Sequence, residues 1–452
     1  MNIKTDSRRC KEGDIFVALR GVEGDGHRFI ADAVKNGAKK VIVEEEGDYG
    51  VETLIVKDTR VYLNAYLESQ YGSIIDAMNI IGITGTNGKT TTAYLIYEAL
   101  NMLNIKCAYI GTIGFYLDKK VAPLDNTCPD IALIYEMILK AYDKGYKYVV
   151  MEASSQGLSY GRLDTIKFDY ALFTNLTQDH LDFHKTMENY AKAKQKLFEN
   201  LTHDGLSIVN NDDDYVDYFK TDKSITYGFT SSDYQITSYE LTAHGTNFVI
   251  NGVDNIQTKL IGKYNIYNVL LTYVFLDRIG VLKKDIIKII SMLTPPPGRM
   301  DIIKYNDNSI IVDYAHTPDA MNNIISTVKE IAKGDIYIVF GCTGSRDRTK
   351  RPIMMDIALS NAKFVVVTSD DLHNEEFVQI VADMEQGVKS KNYIVHRDRR
   401  KAIEKGIDML NHNDVLLVLG KGHEDFIIDK NLKIPFNDHK VIESIIREKV
   451  EI

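Results

Sequence analysis

The residues with the plainest chemical meaning lie at 79–100, NIIGITGTNGKTTTAYLIYEAL. A short apolar run leads into a glycine-containing turn, then Lys89, Thr90 and a stretch with helical periodicity. Backbone N–H groups in such a turn, together with the positive end of the following helix, cradle phosphates. Lys89 would neutralise the β and γ phosphates, and Thr90 would offer a hydroxyl to Mg2+. The general pattern G-x-x-x-x-G-K-[ST] needs glycine at position 83, where Ile83 stands; the glycines present are Gly82, Gly85 and Gly88. Lysine followed by three threonines sets this run apart from a strand-to-helix turn without a ligand. It predicts nucleotide binding by Gly85, Thr86, Asn87, Gly88, Lys89, Thr90 and Thr91.

Other titratable groups are less telling by themselves. Glu152 closes a predicted buried strand, and His180 and His184 share a polar loop as H-L-D-F-H. That spacing alone reads more readily as a capped helix start than as a metal pair. Lys192, Lys194 and Lys196 read by charge pattern as a solvated helix face. Ser154 and Ser155 fit a helix N-cap, and a lone Arg299 after three prolines fits a surface position.

Taken in order, these motifs resemble those of the Mur ligases. GITGTNGKTTT is similar to the family's ATP loop, which has the same shorter glycine pattern. Further matches are DSR at 6–8, GDIFVALRG at 13–21, MEASSQGL at 151–158, FTNLTQDHLDFH at 173–184 and YAKAKQKLF at 190–198. They continue with GKYNIYN at 262–268, PGRMD at 297–301, VDYAHTPDAM at 312–321, GCTGSRDRTKRP at 341–352 and GKGHE at 420–424. The DSR start and the final GKGHE point to the MurE type, which adds the third residue of the stem peptide.

The resemblance implies an ATP- and Mg2+-dependent ligase that phosphorylates a substrate carboxylate and lets an amine attack the acyl phosphate. Charge neutralisation at the bridging oxygens explains the lysine and the metal, and oxygen and imidazole ligands suit it. By resemblance Lys89, Glu152, His180 and Lys194 are catalytic, and Thr90, Glu152, His180 and Lys194 hold metal. Lys194 is the position the family carbamylates, reversing its charge. Asn268, Arg299 and Asp313 meet adenine and ribose, with Arg299 at a hinge that lets ATP draw two domains together. Ser7 contacts the uracil end of a UDP-N-acetylmuramoyl dipeptide, and Asn126, Thr127, Cys128, Ser154, Tyr160 and Arg162 hold its sugar and peptide. Arg346 takes the α-carboxylate of the free amino acid, Gly420 and Glu424 face its amine, and Asp370, Asp371, Leu372 and His373 face its distal end.

The pattern departs from the family in four places. Gln156 replaces histidine; Cys128 and Tyr160 replace a frequent threonine and glutamine; and Thr343 and Ser345 alter G-C-G-G-D-R-D. The largest break is D-D-L-H at 370–373, where enzymes that add meso-diaminopimelate carry D-N-P-R. Without that arginine, and with Asp370, Asp371 and Glu424 making an acidic mouth, L-lysine or ornithine is expected over meso-diaminopimelate. Three other readings stay open: a folylpolyglutamate synthase, a paralogue acting on another acceptor, or a non-catalytic binder of UDP-sugar or nucleotide. The DSR-bearing first segment argues against the first. Joint retention of Lys89, Thr90, Glu152, His180 and Lys194 argues against the last.

Elements able to position these residues are legible as Val- and Ile-rich runs alternating with amphipathic stretches, the pattern of parallel sheets covered by helices. Strands are predicted at Lys40–Val43, Asn79–Thr84, 148–151, Ile336–Phe340, Phe364–Thr368 and Val415–Leu419, and helices at 91–103 and 189–198. A chain of 452 residues exceeds one ordinary core. The prolines and glycine at 295–298 read as a stiff linker or hinge. The expected fold is α/β with three-domain Mur ligase architecture: a UDP-binding α/β domain at 1–77, a P-loop ATPase domain at 78–297 and a Rossmann-like domain at 298–452.

Composition sets the remaining bounds. With 63 acidic against 54 basic residues the net charge is -9, which disfavours nucleic acid. The one basic run, at 397–401, reads as a solvated helix start. Four scattered cysteines suggest neither zinc nor a disulfide framework. No signal-like or membrane-length apolar segment stands out. A cytoplasmic enzyme without membrane insertion is expected, monomeric by default.

Overall fold

The computed structural model describes residues 1–21, 24–242, 245–430 and 432–450. Its first sheet has four parallel strands in chain order, Ile3–Lys4, Ile15–Val17, Lys40–Val43 and Glu52–Ile55. Leu63 and Leu67 of the helix Thr59–Ile75 pack into one core with Ile3, Val17 and Ile42. Asp58 starts that helix by accepting N–H bonds from Arg60 and Val61.

The second sheet has eleven strands. Its parallel centre runs Ser224–Gly228, Leu201–Asn210, Phe168–Phe173, Asn79–Thr84, Tyr148–Glu152 and Cys107–Gly111. Along Asn79–Thr84 alternate residues enter two cores, Ile80 on one face and Ile81 and Ile83 on the other. A parallel strand with helices on both faces must be apolar on both, so the run looked continuous rather than alternating. The register pairs Ile83 with Glu152 and Thr84 with Phe173. The phosphate loop, Glu152 and the loop that follows Phe173 therefore leave one carboxyl edge together, where open α/β sheets bind ligands.

The third sheet has six strands in the order Asp301–Tyr305, Asn308–Asp313, Val415–Leu419, Ile336–Phe340, Phe364–Thr368 and Tyr393–His396. Only its first pair is antiparallel. Loops bearing Tyr314, Arg346, Asp370 and Glu424 leave its carboxyl edge. That edge meets the second sheet's edge through Asn87 Nδ2 to Asp319 Oδ2 at 2.7 Å and Lys350 Nζ to Asp179 Oδ1 at 3.8 Å.

The strands at Lys40–Val43, Asn79–Thr84, Ile336–Phe340, Phe364–Thr368 and Val415–Leu419 stand as expected. The run at 148–151 extends by one residue to Glu152, and the two helices are Lys89–Met102 and Met187–Glu199. One expectation changes. The basic run is not wholly solvated: Arg399 is buried, and its Nη2 meets Asp438 Oδ2 at 2.7 Å with both side chains fully covered. The stiff linker or hinge expected at 295–298 is also packed at its end. Gly298, at φ 67°, packs so closely that a Cβ would meet His423 N at 2.1 Å, which fastens 295–298 to the GKGHE loop. No helix among the described residues is long and apolar enough to cross a membrane.

Candidate active site

Gly85 and Gly88 both have positive φ, 147° and 86°, and each stands where side-chain atoms of Thr174 and Asn268 leave no room for a Cβ. The loop then enters the helix Lys89–Met102. Lys89 Nζ donates to Gly85 O and Thr86 O, both at 2.8 Å, which folds the ammonium back over the loop. Burial pulls its pKa down, against the nearby Glu152 and Asp179 carboxylates. Thr90 Oγ1 lies 2.8 Å from Glu152 Oε2. A hydroxyl and a buried carboxylate thus adjoin at a helix N-terminus, where a nucleotide's phosphates would sit.

These two groups fit Mg2+, which binds through one or two carboxylates, phosphate oxygens and retained water. Among the described residues no group of three or more His, Cys, Asp or Glu could hold a metal by itself, so phosphate would complete the shell. His180, with φ 53°, directs Nε2 to Asp179 Oδ2 at 3.3 Å; burial lowers its pKa and keeps the ring able to act as a neutral ligand. His184 instead turns inward to Ser155 Oγ at 2.9 Å. Lys194 is 1% exposed, donates to Gly85 O at 2.6 Å and lies 4.4 Å from the Tyr190 ring centre. Burial first, then Lys89, hold its pKa well below the usual lysine range. It is no solvated lysine.

Three cavities surround these groups. The first, ≈ 1040 Å³, is lined by Arg8, Arg9, Arg20, Arg60 and Lys140 and by Asn126, Tyr160 and Arg162. The second, ≈ 790 Å³, is lined by Lys89, Thr90, Glu152 and His180 and by Thr127, Cys128, Ser154, Arg346, Asp370, Asp371, His373, Gly420 and Glu424. The third, ≈ 370 Å³, is lined by Asn268 and Asp313 and by Tyr264. Asn126, Arg162 and Arg346 line the first two, while Asn87, Gly88, Thr91 and Arg299 line the last two. Arg299 lies 4.5 Å over the Tyr314 ring with its buried Nε unpartnered.

Several expected residues stand elsewhere. Ser7 does not line the first cavity: it is buried in a short turn capped by Asp6, so Asp6, Arg8 and Arg9 present themselves instead. Leu372 is in the core of the third sheet's unit, not at the cavity. Gly85, within the loop, and Lys194, packed behind it on Gly85 O, lie outside the second cavity's lining. Ser154 both caps the helix Ser155–Ser159 through Gly157 N and lines the cavity. Asp371 is not a free acid, since its Oδ1 accepts from the fully buried Lys421 Nζ and from Ile428 N, both at 2.8 Å. The mouth is therefore less acidic than its carboxylate count. Reading residues missed Arg60 and Lys140, which are isolated cations without a motif, and Arg20, which lies inside GDIFVALRG. It also passed over Asp179, Asp347 and Lys350, which lay inside quoted motifs and could have been singled out there.

Comparisons with known proteins fit this geometry. Residues 1–77 match the Mur ligase family catalytic domain, 83–276 the Mur ligase middle domain and 298–422 the Mur ligase glutamate ligase domain. A protein of Fusobacterium nucleatum named UDP-N-acetylmuramoyl-L-alanyl-D-glutamate–2,6-diaminopimelate ligase is 39% identical, over 99% of this chain and 94% of its own. The chain belongs to the Mur ligase family. A Bacillus cereus protein of the same name is 38% identical, over 98% of this Mur ligase and 94% of its own length. A solved structure titled as that ligase has a TM-score of 0.65 at 31% identity, covering 99% and 95% of the two chains. The MurF ligase of Thermotoga maritima in complex with ADP shares the fold, with a TM-score of 0.73 at 18% identity over 100% and 98%. This Mur ligase is an ATP-dependent, amide-bond-forming enzyme.

Proposed function

We propose that this ligase joins a diamino acid to UDP-N-acetylmuramoyl-L-alanyl-D-glutamate in peptidoglycan precursor synthesis, with working units at 1–77, 78–297 and 298–452. The observation that carries the reading is the junction of the cavities. A long substrate anchored among the arginines of the first cavity would bring its far carboxylate past Asn126 and Arg162 to Lys89, where the nucleotide cavity also opens. The names of the similar proteins support the same dipeptide.

A carboxylate oxygen attacks the γ-phosphorus, and the bond to the ADP bridging oxygen breaks. The amine nitrogen then attacks the acyl carbon, phosphate leaves and the amine gives up a proton. Thr90, Glu152, His180 and a carbamylated Lys194 would hold Mg2+, which would supply charge neutralisation on the phosphates. Lys89 adds a fixed positive charge at the same place, Asn268, Arg299 and Asp313 hold the nucleoside, and Arg346 holds the amino acid's α-carboxylate. Glu424 faces its amine.

Burial, with Asp370 and Asp371 nearby, pushes the Glu424 carboxyl up to about 7 although Lys421 lies 2.5 Å away. The group that attracts an ammonium is thus charged above that pH and neutral below it. kcat/KM for the amino acid should fall as pH drops below about 7, following the free enzyme's ionisation. In Glu424→Gln the rate should be low and this acid limb absent. An unchanged limb in that variant would assign the ionisation to another group.

For the amino acid itself, L-lysine or ornithine is favoured over meso-diaminopimelate. Support comes from a missing cation rather than from surplus acid. The stretch 370–373 has no arginine, and burial lowers the His373 pKa more than Asp371 raises it, so the ring is neutral at pH 7. A distal carboxylate would lack a charge-assisted fork there. The names of the relatives point to diaminopimelate, which makes the comparison decisive. With both amino acids at equal concentration, kcat/KM should favour L-lysine by about tenfold, or ~1.4 kcal/mol. A preference for diaminopimelate that disappears in His373→Ala would reverse this assignment and give the histidine the arginine's task. A different acceptor remains a second reading because Gln156, one of the departures from the family, lines both substrate cavities.

A further inference from the structure

The Glu152 carboxylate is held on both oxygens, but unequally. Oε2 accepts from the hydroxyls of Thr90 at 2.8 Å and Thr112 at 3.0 Å. Both hydroxyls can turn their protons away, and Thr112 Oγ1 has an alternative partner in Thr127 Oγ1 at 3.0 Å. Oε1 instead faces back into the sheet, where it accepts from Thr112 N at 2.8 Å and Tyr109 Oη at 2.5 Å. A backbone N–H and a buried phenol are fixed donors.

The phenol cannot easily move. Tyr109 is wholly buried, and its ring centre lies 6.5, 6.2 and 5.7 Å from those of Tyr94, Tyr97 and Tyr116. Edge-to-face contacts of this kind set ring orientation as well as burial. Beside it the chain carries Gly111, where a Cβ would come within 2.4 Å of Glu152 Oε1 and 2.6 Å of Tyr109 Oη. The glycine leaves the gap in which phenol and carboxylate meet.

We propose that Tyr109 is a positioning residue for Glu152: its O–H holds Oε1, sets the carboxylate plane and leaves Oε2 directed at the divalent cation that accompanies ATP. This rests on the reading of Glu152 as a metal ligand. Hydrogen bonds from outer residues commonly orient a ligating carboxylate, and losing one typically weakens metal binding by about 10–100-fold. Tyr109→Phe keeps the ring among its neighbours and deletes only the donor. Tyr97→Phe is the matched control, because its phenol donates to Leu117 O at 2.5 Å in the same cluster without touching Glu152.

The test is Mn2+ binding in the presence of ADP, read from the electron paramagnetic resonance signal of free Mn2+, with thermal melting for each variant. In Tyr109→Phe the Mn2+ dissociation constant should rise about tenfold or more, and the Mg2+ concentration needed for half-maximal ligation should rise with it. Tyr97→Phe should melt lower yet bind Mn2+ as the wild type does. Wild-type Mn2+ affinity in Tyr109→Phe alongside lost affinity in Glu152→Gln would overturn the role of Tyr109 alone. Unchanged affinity in Glu152→Gln would overturn the ligand reading beneath it. Equal weakening in both tyrosine variants would reduce the effect to packing and overturn the proposal too.

Discussion

Lys89→Ala is expected to lose nearly all ATP-dependent ligation while the protein stays folded. The ammonium sits over the loop on two carbonyls, Gly85 O and Thr86 O, at 2.8 Å each. It is thereby aimed where the β and γ phosphates would lie rather than tied to a carboxylate of its own. Phosphoryl transfer onto an anion places further negative charge there, and little else in the loop carries positive charge. Removing one preorganised electrostatic group of this kind costs about 10²–10³ in rate, or about 2.7–4 kcal/mol. Gly85 O keeps its bond from Lys194 and Thr86 O regains a partner from water, so melting should move little. Steady-state phosphate release and a thermal melt check both halves. Activity above about a tenth of wild type, a loss under about 1.4 kcal/mol, would remove the phosphate-loop assignment.

Lys194→Ala is expected to be nearly inactive, and short carboxylates added to the assay should restore part of the rate. A lysine buried to 1% exposure, with a carbonyl and an aromatic face as its near partners, is poorly placed as a cation. Burial and Lys89 favour its neutral form, and a neutral amine is the form that attacks CO2. A new N–C bond and the loss of one proton would turn a would-be cation into an anion beside the phosphate loop. That anion would hold Mg2+ or steady His180, for which a neutral amine lacks the negative charge. Acetate or formate diffusing into the space vacated in the alanine variant would supply a similar charge. Mass measurement of the wild type in CO2-depleted buffer is the companion experiment. Full activity with plain lysine there would contradict the carbamate.

What could be read in the residues followed the strength of local signals. Parallel strands buried on both faces leave continuous Val and Ile runs, so their positions were plain from Asn79–Thr84 to Val415–Leu419. The phosphate loop was legible because lysine, threonines and glycines must sit at fixed offsets. Lys194 was not legible from its charge pattern, which suggested solvent; only the resemblance of YAKAKQKLF selected it, and its burial and bond to Gly85 O are tertiary features. The inward turn of Arg399 depends on Asp438, 39 residues away, which no local pattern reveals. Apart from the adjacent Arg8 and Arg9, the cations of the first cavity come from separate elements and share no spacing. Asp371 likewise looked like surplus acid until Lys421 closed on it.

A ligase of the proposed kind spends ATP only when a carboxylate-bearing UDP-sugar dipeptide and an amine are both present. Purified enzyme with ATP, Mg2+, UDP-N-acetylmuramoyl-L-alanyl-D-glutamate and a panel of amino acids should release phosphate in step with a new UDP-linked tripeptide. Omitting either the dipeptide or the amino acid should stop that coupled release. Phosphate release unaffected by both omissions, or none with any diamino acid of the panel, would contradict the account.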